Sequence, residues 1–269
     1  MSSPERAAFH LANWLGFFFD LHESRMLPPE PHRGFLDGCP RARNQDYLGE
    51  HSGTIYAAER IGLFQYHPII RVAKSSGGSS GFVAYPMLAD HLYFSEDIKG
   101  VYAVNWCIKS TPQDFLKPFE AKAPWSSRGR SAEEHQARLA IEAEVMREAG
   151  IRTISLSEDD INRELRENLN YLYQFLTRDS ALPSSMQEDL IGNICQRIVK
   201  QVPPIETIWH MQRKNGGALF DYLIAFNTAV WLRKIPVDLY RPMQVDRPLR
   251  PFFGDITEPY RQWAMRGDV

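Results

Sequence analysis

Cysteine is scarce in this chain, and any large excess of one charge is missing. The three cysteines among 269 residues, Cys39, Cys107 and Cys195, are odd in number, far apart and without CxxC spacing. That argues against a zinc site and against the disulfide framework of a secreted domain, so a reducing cytoplasm is the expected setting. Lys and Arg number 31 against 33 Asp and Glu, a formal net charge of -2. Without a global polycation, contact with a nucleic acid has to come from local basic patches. Long apolar runs are also missing. The Phe9 to Leu21 stretch is interrupted by His10, Asn13 and Asp20, has no leader-type flanks and is too short to span a bilayer. No membrane partner is expected.

What is present suits a sizeable core. Hydrophobic residues make up 43% and aromatics 12%, enough for one large or two modest domains. Leu11, Trp14, Leu15, Phe18 and Leu21 recur at helical spacing and predict a helix over residues 4 to 23. From Met26 to Gly53 periodicity disappears and Pro, Gly and Arg rise, the signature of a long connection whose Arg33, Arg41 and Arg43 could touch phosphate. A second helix is expected over Thr54 to Gln65, carrying Glu59 and stopping before Pro68.

A sheet follows. Ile69 to Ala73 and Gly81 to Met87 form a hairpin candidate around a Gly/Ser turn, and Asp90 to Phe94 and Val101 to Lys109 are two further strands. The imperfect alternation of Val101, Ala103, Trp106 and Ile108 suits a central strand covered on both faces. Ser131 and Glu134 form a capping box for a helix with a stripe of Leu139, Ala143 and Met146, ended by Gly150. Ile151 to Leu156 is the next strand. This succession describes a compact α/β core over residues 1–157. Ser157 is then expected to start a long helix, followed by helices at Ser185 to Gln201, Pro204 to Arg213 and Ala218 to Leu232 and an extended Ile235 to Tyr240. Helices followed by a short extended piece, with a Gly216-Gly217 break, suit a mainly α, winged-helix-like domain over residues 158–269.

One constellation in the sheet carries chemistry. Asp90 opens a strand and Cys107-Ile108-Lys109 closes the next, after the manner of an Asp followed by an acid-x-Lys element in many metal-dependent endonucleases. Breaking a phosphodiester calls for carboxylates that hold Mg²⁺ and for a Lys that orients or deprotonates the attacking water. Residues two apart on a strand share a face and lie roughly 6 to 7 Å apart, so Asn105, Cys107 and Lys109 look the same way. The acid position, however, holds Cys107, a thiol poorly suited to a hard cation. Taken singly, Glu59 is an ordinary exposed helix acid, Lys109 a snorkelling strand end and Cys107 a small buried hydrophobe.

In order and spacing these elements resemble the TnsA family, the endonuclease subunits of heteromeric bacterial transposons, over nearly the full chain. The resemblance rests on Glu59 to Pro68, on Ala89-Asp90-His91-Leu92 after Tyr85, on Cys107-Ile108-Lys109, on Ala149 to Ile154 with Ser157 to Leu169, and on Trp231 to Leu239, which is similar to the family's terminal wing. It implies an α/β restriction-endonuclease-like core, a mixed sheet flanked by helices, that uses Mg²⁺, with Mn²⁺ as a substitute, to hydrolyse the non-transferred strand at the 5′ ends of a transposon. It implies Glu59, Asp90 and Lys109 as catalytic residues. Glu59, Asp90 and the Ile108 carbonyl would hold the metal, with Asn105 as a further oxygen donor, and Lys109 would position the water. The implied partners are double-stranded transposon-end DNA, an integrase-type transposase and an ATPase regulator contacted by the C-terminal domain, in a bacterial cytoplasm. Some members of the family carry Gln at the Cys107 position, so Cys107→Glu is expected to keep or raise cutting. The alternatives are a catalytically weakened DNA-binding adaptor linking transposase and regulator, or a stand-alone restriction-type nuclease.

Overall fold

The computed structural model describes residues 1–36, 39–42, 50–72, 81–116 and 132–267. They divide into two compact units, the first made of Met1–Glu5, Phe17–Glu158 and Trp263–Val269, the second of Arg6–Gly16 and Asp159–Gln262. Among the described residues no helix is long and apolar enough to cross a membrane.

The first unit is mixed α/β. Its main sheet has four strands in the order β1 (Asp20–Leu27), β4 (Met87–Asp97), β5 (Gly100–Lys109) and β6 (Arg152–Ser157). The first three are antiparallel neighbours, whereas β6 runs parallel to β5. A parallel neighbour requires a crossover, here helix α3 (Ala132–Glu148). Helix α2 (Gly53–Arg60) packs against α3. Strands β2 (Ile69–Val72) and β3 (Gly81–Ala84) form the expected hairpin, but as a separate two-stranded sheet whose turn, 73–80, lies outside the described residues, as do Arg43 and the capping residue Ser131.

Strand β5 is buried without interruption from Val101 to Ile108, as its imperfect alternation suggested. On one face Val101 and Ala103 join Leu92, Phe94, Ile141, Val145 and Met146 in an apolar cluster. On the other, Trp106 packs against Tyr93, Phe18 and Trp263 with ring centroids 4.5, 5.6 and 6.2 Å apart. The Trp106 indole N–H donates to the Trp263 carbonyl at 3.0 Å, and the Tyr102 hydroxyl to that of Ala264 at 2.7 Å. Truncating Trp106 to Ala would cost about 3 to 5 kcal/mol.

Several expected boundaries differ: α2 ends at Arg60 rather than Gln65, β3 ends at Ala84, and β4 begins at Met87, so Asp90 lies inside that strand instead of opening it. Helix α1 (Ser3–Leu15) stops at Gly16, which adopts a φ of 71° that side-chain-bearing residues disfavour, and the chain re-emerges as β1. Phe18 and Leu21 continued the helical spacing by coincidence: Phe18 stacks on Tyr93 at 4.6 Å and Leu21 is in register with the same residue. Ser157, expected as a helix cap, instead ends β6 opposite Lys109. The cap of α4 (Arg163–Leu176) is Asn162, whose side-chain oxygen accepts from the Leu165 N–H at 3.1 Å.

The second unit is helical, built from most of α1 with α4, α5 (Ser184–Ile198), α6 (Pro204–Asn215), α7 (Leu219–Trp231) and the short α8 (Glu258–Arg261). Leu169 and Leu172 of α4, Ile194 of α5, Ile208 of α6 and Phe226 of α7 are buried in its interior. Gly216 and Gly217, both at positive φ, turn the chain between α6 and α7. The extended Ile235 to Tyr240 forms a single antiparallel bridge, Val237 with Pro251, rather than a strand. Asn168, buried in α4, fastens this region: its amide donates to the carbonyls of Leu239 and Arg241 at 2.9 and 2.7 Å and accepts from the Met243 N–H at 3.1 Å.

Candidate active site

Strands β4 and β5 meet in a tight hairpin at Asp97 and Gly100, and their pairing runs back as far as His91 opposite Trp106. Beyond that point β5 stays paired with β6 out to Lys109, while its pairing with β4 stops. Asp90 sits where the two strands part. Its carboxylate Oδ2 takes the Ile108 backbone N–H at 2.8 Å, in place of a ladder partner, and the Lys109 ammonium at 3.2 Å. The same ammonium donates to the Ile108 carbonyl at 3.1 Å. Lys109 also lies 5.9 Å from the centroid of the Phe115 ring, which closes one side of the ion pair. Both side chains keep about a quarter of their surface exposed, 24% for Lys109 and 27% for Asp90, so the pair is open to a ligand.

Behind Lys109 on the same strand face, Asn105 and Cys107 meet an acid that periodicity did not single out. Helix α3 buries Ala137, Ile141, Val145 and Met146 against the sheet, and this face carries Glu142 inside with them. Cys107 Sγ donates to Glu142 Oε1 at 3.0 Å and the Asn105 amide donates to the same oxygen at 2.7 Å. Burial raises the Glu142 carboxyl above its ordinary range; the two donors oppose that shift, the Asp90 charge adds to it and Lys109 offsets it. Burial, then the neighbouring Glu142, pushes the Cys107 thiol well above its usual value, which keeps the proton it donates. Asn105 Oδ1 is buried without a hydrogen-bond partner.

The expected residues are therefore brought together in part. Asp90, Lys109 and the Ile108 carbonyl converge, and Asn105 and Cys107 converge on Glu142. Glu59 is exposed on α2, and among the described residues no hydrogen bond or ion pair joins it to Asp90 or Lys109. Of the arginines, Arg41 lies over the Phe19 ring, 4.4 Å from its centroid. No group of three His, Cys, Asp or Glu side chains among the described residues could hold a metal ion. A cation that keeps its waters makes smaller demands: Mg²⁺ takes one or two carboxylates, and waters and substrate phosphates complete its shell. Asp90 and the Ile108 carbonyl already share one cation, the Lys109 ammonium, so their donor chemistry fits a hard ion. The protonated Cys107 does not.

The site thus belongs to a mixed α/β unit with a carboxylate and a lysine paired at the parting of two strands. No family model matches the chain, and no curated protein matches it.

Proposed function

We propose that the protein is a metal-dependent DNA endonuclease of the TnsA kind, which hydrolyses the non-transferred strand at the 5′ ends of a transposon. The observation that carries this reading is the convergence of Asp90 Oδ2 and the Ile108 carbonyl on Lys109 Nζ, at 3.2 and 3.1 Å. Asp90 and the Ile108 carbonyl would hold Mg²⁺ or Mn²⁺, with Asn105 Oδ1 as a buried oxygen in reserve. When bound, the ion supplies Lewis acidity and lowers the pKa of water. Lys109 orients the attacking water and faces the charge that develops on the phosphate. Glu142 holds Asn105 and Cys107 in place through its two accepted hydrogen bonds. Glu59 enters the site only if DNA or a partner brings α2 to it.

In the same reading the second unit is the winged-helix-like domain that contacts end DNA and an ATPase regulator, beside an integrase-type transposase, in a bacterial cytoplasm. Its supports are the four-helix interior and the single antiparallel bridge between Val237 and Pro251. One observation favours the adaptor reading instead: Lys109 already pairs with Asp90, and among the described residues no second acid joins them.

The deciding experiment incubates the protein with labelled element-end DNA, Mg²⁺ and an integrase-type transposase. Nicking at the 5′ ends is expected, with a loss of at least about a hundredfold in Asp90→Ala. Undiminished nicking by that variant sinks the nuclease reading at this site, and a silent wild type favours the adaptor.

A further inference from the structure

On β1, separated from β5 by β4, lies a cavity of about 450 Å³ that the cleavage reading does not use. That size is in the range of small-molecule sites. Its position is set by an irregularity in the sheet. β1 pairs with β4 at Glu23 opposite His91 and again at Arg25 opposite Ala89, so Ser24 falls opposite Asp90. Ser24 has a φ of 52°, in the left-handed region that a residue with a side chain seldom occupies. The cavity opens beside this kink.

Its walls supply two kinds of recognition. Arg25 lines it with a guanidinium whose one hydrogen-bond partner among the described residues is His22 Nδ1, at 3.4 Å. The remaining donors of that planar fork suit a phosphate, which accepts two parallel hydrogen bonds. Glu23, exposed, is the one carboxylate among the described lining residues. The second element is a stack of rings. Phe35 and His51 lie 4.8 Å apart at an interplanar angle of 10°, and His32 continues the column 5.9 Å from His51 at 26°. A reciprocal backbone pair, His32 N–H to His51 O at 3.0 Å and the reverse at 3.1 Å, fixes the spacing. Phe35 and His51 are buried, whereas His32 is exposed, and among the described residues His51 is its one ring contact, which leaves room for another flat group. Both ring nitrogens of His51 are buried without a partner. A buried polar ring left unsatisfied in a cavity wall is costly unless a ligand or water meets it.

We propose that this cavity binds a nucleotide, its phosphate on Arg25 and its base stacked on His32. The chemistry fits a free nucleoside monophosphate and a nucleotide of a DNA strand alike. The assignment does not depend on cleavage at Asp90.

The test is calorimetric titration of the full chain with deoxyadenosine monophosphate, inorganic phosphate, deoxyadenosine and a 5′-phosphorylated single-stranded oligonucleotide. The monophosphate is expected to bind at least about tenfold more tightly than either of its parts, because both contacts are then made. Arg25→Met should weaken it by about tenfold. His32→Ala should weaken it too, while His32→Phe retains it, since stacking needs a ring rather than a nitrogen. Both residues are at the surface of the cavity, so their variants report on binding in a folded protein. An oligonucleotide that binds at least about tenfold more tightly than the monophosphate identifies a DNA strand as the source; equal affinity identifies a free nucleotide. Asp90→Asn should bind the monophosphate unchanged even if it no longer nicks DNA, which separates this proposal from the preceding one. The proposal is overturned if no phosphate-bearing probe binds, or if folded Arg25→Met binds as wild type does.

Discussion

The interiors of the two units bury different kinds of polar group. The first encloses His51, His67, His91 and Glu142, all ionisable, beside the uncharged Thr54, Ser95, Asn105 and Ser157. The second encloses Asn168, Thr207, Asn227 and Thr257, which carry no charge at any pH, and among the described residues His10 is its one buried histidine or carboxyl side chain. Asn168 shows what an uncharged burial does: it gives the backbone of 239–243 three partners and holds it to α4. Glu142 makes no such backbone contact in the bonds described above; it organises two side chains on the strand that leads to Lys109. Buried amides fasten loops without a dependence on pH, whereas buried acids and histidines make an interior responsive to protons and charge. The contrast places the responsive interior in the unit that carries Asp90 and Lys109.

Five perturbations test that contrast. The largest effect is on activity, the loss of nicking in Asp90→Ala described above, with the second unit's stability unchanged. Next is Cys107→Glu. The resemblance alone suggested retained or raised cutting, but Cys107 Sγ lies 3.0 Å from a buried carboxyl oxygen of Glu142, so a new carboxylate there faces another. We expect a loss of about 3 kcal/mol or more in urea denaturation. A variant as stable as wild type would show that α3 can move away. Asn168→Ala should cost about 2 to 3 kcal/mol by removing three hydrogen bonds. Hydrogen exchange should place that loss in 239–243 and α4, and a loss spread over the sheet would blur the distinction between the units.

The fourth uses pH. Burial lowers the pKa of His51, His67 and His91, each from an ordinary value of 6.5, so their contribution is full above pH 6.5 and is lost as pH falls through their folded values. Glu142 has the opposite sign: its raised folded pKa gives a contribution that is full below pH 4.5 and is lost as pH rises through the folded value. Glu142→Gln should therefore gain stability over wild type progressively above pH 4.5, while Glu142→Leu, which strands the Cys107 and Asn105 donors, should lose about 2 kcal/mol. In the second unit His10, lowered to about 4, should bring a loss only as pH falls from 6.5 towards 4, absent in His10→Phe. Exchange rates measured from pH 4.5 to 8 check both, and identical profiles for the two units would remove the contrast. The smallest effect is expected from Arg60→Ala. Arg60 ties α2 to Glu144 and Glu148 of α3 at 2.7 and 3.3 Å but is 44% exposed, so about 0.5 to 1 kcal/mol should be lost in thermal melts.

The parts of the site that were legible in the sequence are local. Asp90 and Lys109 belong to adjacent strands of one tight hairpin, and alternation along a single strand was enough to align Asn105, Cys107 and Lys109. Glu142 was not legible, because it comes from a helix rich in charged residues where several phases of the apolar stripe are possible. Leu139 and Ala143, chosen for the stripe, are only half-buried, while Ala137, Ile141 and Val145 face the sheet. β1 was hidden for a related reason: apolar residues after Gly16 kept the helical spacing, and only the backbone conformation at that glycine reveals the break. In the second unit the four long helices were legible from the Pro and Gly breaks between them although the Ser157 cap was not, but whether 235–240 finds a strand partner depends on residues beyond Leu249, which no local pattern names.

The interleaving of the units has a consequence for synthesis. Trp106 and Tyr102, in the middle of the first unit's sheet, bond to the carbonyls of Trp263 and Ala264. The ribosome delivers those partners more than a hundred residues later, after α4 to α8 have emerged. The nascent sheet thus waits with its Trp106 face incomplete while the helical unit folds. Arg233, conversely, finds the Trp14 carbonyl, 3.0 Å away, already made. A polypeptide stopped near residue 158 should emerge with an exposed tryptophan face and a tendency to aggregate, so the sheet that carries Asp90 and Lys109 is completed only after the helical segment has been made.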